Sequence, residues 1–166
     1  MKIHRDTIDL QSEMLSPSFH DITKRVKEIV TESGISNGFC VVYSHHTTCS
    51  VMTQECSHDK TLWGKEYLQQ DLCNIMERLV PTCRTENQYL HPGPEHLKFA
   101  ENVAKEDPKY SLNTDGHLRS VFFGRSETIV MVDGELDLGE FGYVYFIDWD
   151  QVRSRKRVCQ VQIIGE

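Results

Sequence analysis

No apolar run in this 166-residue chain approaches the roughly 20 residues that a membrane-crossing helix needs. No secretory leader is expected either, because Met1-Lys2-Ile3-His4-Arg5-Asp6 turns polar at once. A soluble chain in the cytoplasm is the expectation. Positive charge is not in excess: 18 Lys and Arg face 25 Asp and Glu, for a net charge of −7. That balance argues against bulk nucleic-acid binding through phosphates. The six cysteines (40, 49, 56, 73, 83, 159) include no CxxC pair, so neither a zinc knuckle nor a dithiol redox motif is present. Without a leader, reduced thiols are expected. Internal repeats and low-complexity segments are absent as well.

The remaining composition is that of an ordinary globular protein, 39% hydrophobic and 26% charged. One domain spanning 1–166, with a real core, is expected. Residues 2–11 read as a first strand. Ser16-Pro17 reads as a helix start, Phe19, Ile22, Val26, Ile29 and Val30 as its apolar face, and Gly34 as its C-terminal cap. Phe39–Ser44 reads as a strand, with Ser50–Thr53 as a continuation or a new strand. A second helix is expected at about 64–80, turning Leu68, Leu72, Ile75, Met76 and Leu79 inward and stopped by Pro81. Residues 81–113 are proline-rich and polar, with a short helix at Glu95–Lys105. From His117 onward every segment reads as strand: 117–123, 127–132, 135–138, 143–149 and 157–164, with Asp133-Gly134 as a hairpin turn. The expected fold is α+β: two layers, with two main helices on one face of a mostly antiparallel, mixed sheet.

Chemistry concentrates in a few places. His45-His46-Thr47-Thr48-Cys49 ends a strand, His91 and His96 flank Pro92-Gly93-Pro94, and His117 follows Asp115-Gly116. Adjacent strand residues point to opposite faces, so one of His45 and His46 reaches a given site, and His46 beside the threonines is the choice. His46, His91 and His117 would supply three neutral nitrogens, suited to zinc or another transition metal. A single histidine in a strand is more often a packing residue. Thr47 and Thr48 could bind an oxyanion, although threonine is also common in strands. Cys49 reads as a buried thiol rather than a nucleophile. Glu55 ends a strand-like run and suits a general base. Asp71 borders the apolar face of the second helix, where a carboxylate needs a partner. Arg153, Arg155, Lys156 and Arg157 lie within five positions. On sequence alone a solvated turn is the plainer reading, with an anion clamp as the functional one. Ser126 belongs to a Gly124-Arg125-Ser126 turn whose backbone N–H groups could also cradle an anion.

One ordered set of residues resembles a known family. It comprises His46-Thr47-Thr48-Cys49, Glu55, Asp71, Leu79-Val80-Pro81, Tyr89-x-His91, His117-Leu118-Arg119-Ser120, Gly124-x-Ser126, Asp133-Gly134-x-Leu136-x-Leu138-Gly139, Arg153-x-Arg155 and Gly165-Glu166. In this order, from about residue 20 to the end, it resembles the YjbQ family, also called UPF0047. The chain departs from the common pattern at Gln54, Gly116, Gly139-Glu140-Phe141-Gly142 and in a longer 91–113 loop carrying His96. The resemblance implies a compact α+β homotrimer with a histidine pocket near subunit boundaries, able to hold a divalent metal. It also implies a thiamine-phosphate synthase-like activity, which joins a pyrimidine pyrophosphate to a thiazole phosphate and expels pyrophosphate.

On that footing His46, Glu55, Asp71 and His117 are the expected catalytic residues, and His46, His91 and His117 the metal ligands. Thr47, Thr48, Ser126, Arg153 and Arg155 are the expected phosphate-binding residues. Zinc fits the histidines, whereas magnesium would fit pyrophosphate chemistry. The expected partner is a small phosphorylated molecule, with no nucleic acid and no membrane. A metal-dependent hydrolase of a phosphorylated substrate and a non-catalytic, trimeric ligand- or metal-binding protein are the competing readings.

Overall fold

A computed structural model describes all residues, 1–166. Eight strands and four helices follow in order: β1 Lys2–Gln11, β2 Ser18–Asp21, α1 Thr23–Ser33, β3 Gly38–Ser44, β4 Cys49–Glu55, α2 Tyr67–Leu79, α3 Pro94–Asn102, α4 Thr114–Phe123, β5 Ser126–Val132, β6 Glu135–Leu136, β7 Gly142–Asp148 and β8 Lys156–Gly165. A 3-10 turn at Pro108–Ser111 lies between α3 and α4. The fold is α+β. The strands divide into two sheets rather than the single sheet expected: β1-β8-β3-β5-β6 and β2-β7-β4. Every strand pairing is antiparallel, so the mixed element of the expectation is absent.

The period-2 pattern explains the division. Cys40, Val42, Ile129, Met131, Cys159, Val161 and Ile163 point from the larger sheet into one core. Cys49, Val51, Val144 and Phe146 meet them from the smaller sheet, and Ile22, Val26, Ile29 and Val30 from α1. The intervening residues of the smaller sheet, Met52, Tyr145, Ile147 and Trp149, form a second core with Met76 and Val80, joined by Leu72 and Phe123. The smaller sheet is thus buried on both faces. No helix is long and apolar enough to cross a membrane.

Three local expectations change. Residues 18–21 are a strand, and α1 begins only at Thr23: Phe19 stacks edge-on to Trp149, and the Thr23 N–H donates to Asp21 Oδ1. Gly34 does end α1, at φ +61. The predicted strand 117–123 is helix α4. Its buried residues are Thr114, Asp115, Gly116, Arg119 and Ser120, a helical spacing carried by polar and small side chains. Leu118, Val121 and Phe122 face outward, so the apolar residues gave the wrong period. The α2 stripe is mostly outward too: Met76 is buried, whereas Leu68, Ile75 and Leu79 are exposed.

Candidate functional site

Sequence-distant segments meet beside the end of β3. The chain leaving Ser44 runs through His45 to Thr48 before β4 starts. Helix α4 docks on this loop through Ser120, whose hydroxyl donates to the Thr47 carbonyl at 2.7 Å and also approaches the His117 carbonyl at 2.9 Å. Ser50 and Trp149 continue the contact, Trp149 Nε1 donating to Ser50 Oγ and Ser50 Oγ to the Ser120 carbonyl. At Gly116 an added Cβ would lie 3.3 Å from the Trp149–Asp150 backbone, so the helix approaches β7 as closely as a glycine allows. This docking brings His117 to the His45–Thr48 loop. Buried Arg119 fixes the other side of α4. Its guanidinium donates to the Val80 carbonyl at the C-terminus of α2, at 3.1 and 2.8 Å, and pairs with Glu77 at 2.7 Å.

A cavity of about 360 Å³ opens here. Its walls include His45, His46, Thr47 and Thr48 from the loop, His96 from α3, His117 from α4, and Arg155 and Arg157. His91 stands at its margin, its ring 4.5 Å from that of His96 and 5.7 Å from that of His117. Of the sequence-predicted residues, His46, His117, Thr47, Thr48 and Arg155 are therefore brought together. Arg153 adjoins them through Glu106, which reaches both it and Arg155.

Three predicted residues lie elsewhere. Glu55 is at the far end of β4, exposed, in a hollow of about 620 Å³ that it shares with Glu127, Asp137 and Glu140. That acidic hollow would repel phosphate. Asp71 is exposed on α2 and forms no hydrogen bond or ion pair there. Its neighbours Leu68 and Ile75 face solvent too, so the partner that a buried carboxylate would demand is not needed. Ser126 starts β5 opposite Tyr43, exposed and outside the cavity.

Each histidine has a distinct setting. His46 Nε2 accepts the Val158 N–H at 3.0 Å, which places the ring proton on Nδ1 and makes the free nitrogen a donor. The expected metal trio of His46, His91 and His117 therefore does not fit: the His46 acceptor is already used. No group of three or more His, Cys, Asp or Glu side chains stands in a metal-holding arrangement. His45 does not turn to the opposite face as expected: β3 ends at Ser44, both histidines line the cavity with rings 4.1 Å apart, and His45 Nδ1 meets Gln160 Nε2 at 3.1 Å. Burial, then the positive neighbours His45 and Arg157, lower the His46 pKa. Burial, then His96 and His117, lower that of His91. Burial lowers that of His117 against the opposing Thr47 backbone and Asp150. All three are held towards the neutral form.

Beneath the cavity lies a buried ionic network that sequence reasoning missed. Arg157 Nε donates to Asp148 Oδ2 at 2.6 Å, and Arg157 Nη2 donates to Thr48 Oγ1 at 3.2 Å. Thr48 in turn donates to Asp148 Oδ1 at 3.1 Å. Asp150 lies 3.8 Å from Arg157 and accepts from Asn113. The signal was present in Asp148-Trp149-Asp150 ending a strand, seven to nine residues before Arg157. Cys49 is buried beside this network, and burial and the Asp148 carboxylate push its thiol pKa far up, so it is no nucleophile. Burial likewise pushes Cys40 and Cys159 up to about 12, and all six cysteines are free.

A sequence profile described as "UPF0047 protein YjbQ-like" matches residues 7–166. The chain belongs to the YjbQ (UPF0047) family. A UPF0047 protein of Methanothermobacter thermautotrophicus is 28% identical over 146 residues, 88% of this chain and 82% of that one. YugU of Bacillus subtilis is 23% identical over 145 residues, 87% and 88% of the two chains. Among solved structures, a YbjQ-like protein of unknown function from Sulfolobus solfataricus aligns over 99% of this chain and 100% of its own, at TM-score 0.69 and 22% identity. A YjbQ/UPF0047 family protein from Clostridium acetobutylicum aligns over 95% and 99%, at TM-score 0.68 and 25% identity. These relatives carry the YjbQ fold and no stated activity.

Proposed function

We propose that the cavity binds a small phosphorylated molecule in the cytoplasm and acts on its phosphoryl-bearing bond. The observation that carries this is the joint lining of one cavity by His46, His117, Thr47, Arg155 and Arg157. A volume of about 360 Å³ suits a metabolite. Arg155 supplies a planar, permanently charged donor set for phosphate oxygens. His46 Nδ1–H and His117 supply neutral groups able to hydrogen-bond or move a proton. Two further members of the basic run are engaged internally, Arg157 with Asp148 and Arg153 with Glu106, and exposed Lys156 alone makes no cationic stripe for nucleic acid.

The reaction class we favour is thiamine-phosphate synthase-like condensation. A thiazole nitrogen forms a bond to the pyrimidine methylene carbon, the carbon–oxygen bond breaks, and pyrophosphate leaves with the electron pair. Arg155 and the imidazole N–H groups would stabilise the charge developing on pyrophosphate. Product analysis after incubation with both substrates tests this. Condensation product and free pyrophosphate, both lost in His46→Ala and His117→Ala with the fold intact, support it. Water addition to a single phosphorylated substrate would instead assign a hydrolase, and stabilisation by ligand without turnover a binding protein.

A second reading brings a divalent metal, zinc before magnesium, to His91, His96 and His117. The His91 ring lies 4.5 Å from His96 and 5.7 Å from His117, and the three would have to turn to ligate an ion, since they do not stand in a metal-holding arrangement. These are the side chains that would hold it, with His96 taking the place expected of His46. A rise in melting temperature with added zinc, abolished by His91→Ala, supports that reading; no shift opposes it.

Assembly as a homotrimer belongs to the same proposal. Two unlike apolar surfaces are exposed. Ile3, Ile164, Phe39 and Val130 are register neighbours across the outer face of the larger sheet. Val121 and Phe122 of α4 are 79% and 66% exposed. A cyclic trimer needs two different patches meeting head to tail, whereas a two-fold dimer needs one self-complementary patch.

A further inference from the structure

Glu106 stands where a phosphorylated ligand has to bind. It lines the cavity, and its Oε1 lies 2.7 Å from Arg153 Nη2 and 3.3 Å from Arg155 Nη2. One carboxylate oxygen bridging two guanidinium groups has the geometry of a bound phosphate oxygen. We propose that Glu106 is an internal competitor, whose carboxylate occupies the anion subsite of Arg153 and Arg155 and rotates out when a phosphoryl group enters. This inference rests on the anion-pocket reading above.

Three observations support displacement over a fixed structural pair. The Arg153 contact is an ion pair without hydrogen-bond alignment: buried Nε and Nη2 of Arg153 have no hydrogen-bond partner. A tetrahedral phosphate offers more acceptor oxygens to these donors than one carboxylate does. The Arg153 guanidinium also rests on the Tyr110 ring, 4.4 Å from its centroid, and so keeps its place when the carboxylate leaves. Finally, the Glu106 backbone is anchored, its N–H donating to the Ala100 carbonyl at 2.9 Å, while its side chain is 40% exposed. Departure therefore needs only a side-chain rotation into solvent. The neighbouring Asp107 is engaged with Lys109 at 2.7 Å and does not replace it.

An internal competitor lowers apparent affinity by the fraction of molecules in which it has left the subsite. That fraction is the same for every anion. Removing the carboxylate should therefore tighten the binding of weakly and strongly charged anions by one common factor, about 3- to 10-fold for a half-exposed pair. A simple field effect behaves differently, because its gain grows with ligand charge.

The test is calorimetric titration of inorganic phosphate and of pyrophosphate into the full chain, as wild type, Glu106→Gln and Arg155→Ala, with circular dichroism to establish folding. An equal gain for both anions in Glu106→Gln supports the proposal. A gain much larger for pyrophosphate, no gain, or a loss overturns it. If Arg155→Ala weakens both anions while Glu106→Gln changes neither, the competitor role fails and the pocket stands. If neither anion binds any of the three proteins, the pocket reading fails and takes the competitor role with it.

Discussion

Asp148 shows how much rests on single residues. It is fully buried, accepts from Arg157 and Thr48, and receives the Asp150 backbone N–H at 3.0 Å. Asp148→Asn removes the closer counter-charge of a buried guanidinium and leaves it only Asp150, 3.8 Å away. Urea unfolding should report a loss of about 3 kcal/mol, near the low end for a broken buried pair; a loss under about 1 kcal/mol would mean that Arg157 finds another partner. His46 is legible from sequence as a site residue but not as a donor, because its role depends on the Val158 N–H 112 residues away. Glu55 and Asp71 were misplaced for a related reason. A carboxylate at a strand end or beside a leucine looks functional until the far ends of the elements are located.

Helix α4 is the element that makes the site. Its inward face is polar, its outward face apolar, and its docking relies on hydrogen bonds from Ser120 and Arg119. Ser120→Ala removes the hydroxyl bond to the Thr47 carbonyl and should cost about 1–2 kcal/mol. It should also weaken anion binding through displacement of His117, whereas a surface change such as Lys98→Ala should do neither. β1, β3, β5 and β8 were legible because period-2 alternation held where one face met the core, and β7, buried on both faces, because it is one continuous apolar run; all five lie within a residue or two of their expected limits. Helix α4 was not legible. Val121-Phe122-Phe123 has strand character, and nothing local states that polar groups face the core. The division into two sheets was hidden for the same reason, since alternation sets the face of a strand and not its partner.

At the scale of the whole molecule, charge and exposed surface give two further expectations. Burial lowers the pKa values of His20, His46, His91 and His117 from their ordinary 6.5. Between folded and unfolded values the unfolded chain then holds more protons, so stability rises with pH there. These groups contribute nothing unfavourable above about pH 6.5 and destabilise the fold as pH drops below it. Asp115 and Asp150 have the opposite sign: burial raises them from 3.8, and they are relieved by protonation at lower pH. With four histidines set against two aspartates, unfolding free energy should fall from pH 7.5 to 5.5; a flat profile would remove the neutral-histidine account. Assembly gives the second expectation. If the proposed trimer forms, light scattering should find it for wild type and for Leu62→Asp, in an exposed loop outside both apolar patches, and find monomer for Phe39→Asp, on the outer sheet face.

The central claim is that one cavity, lined by His46, His117 and Arg155, takes phosphorylated anions, and that the acidic hollow around Glu55 does not. Calorimetric titration of pyrophosphate into wild type, Arg155→Ala, His117→Ala and Glu55→Ala tests it most directly. The account predicts saturable binding to wild type and Glu55→Ala alike, weakened about 10-fold or more in Arg155→Ala and measurably in His117→Ala. Equal binding by all four proteins, or a loss confined to Glu55→Ala, would contradict it.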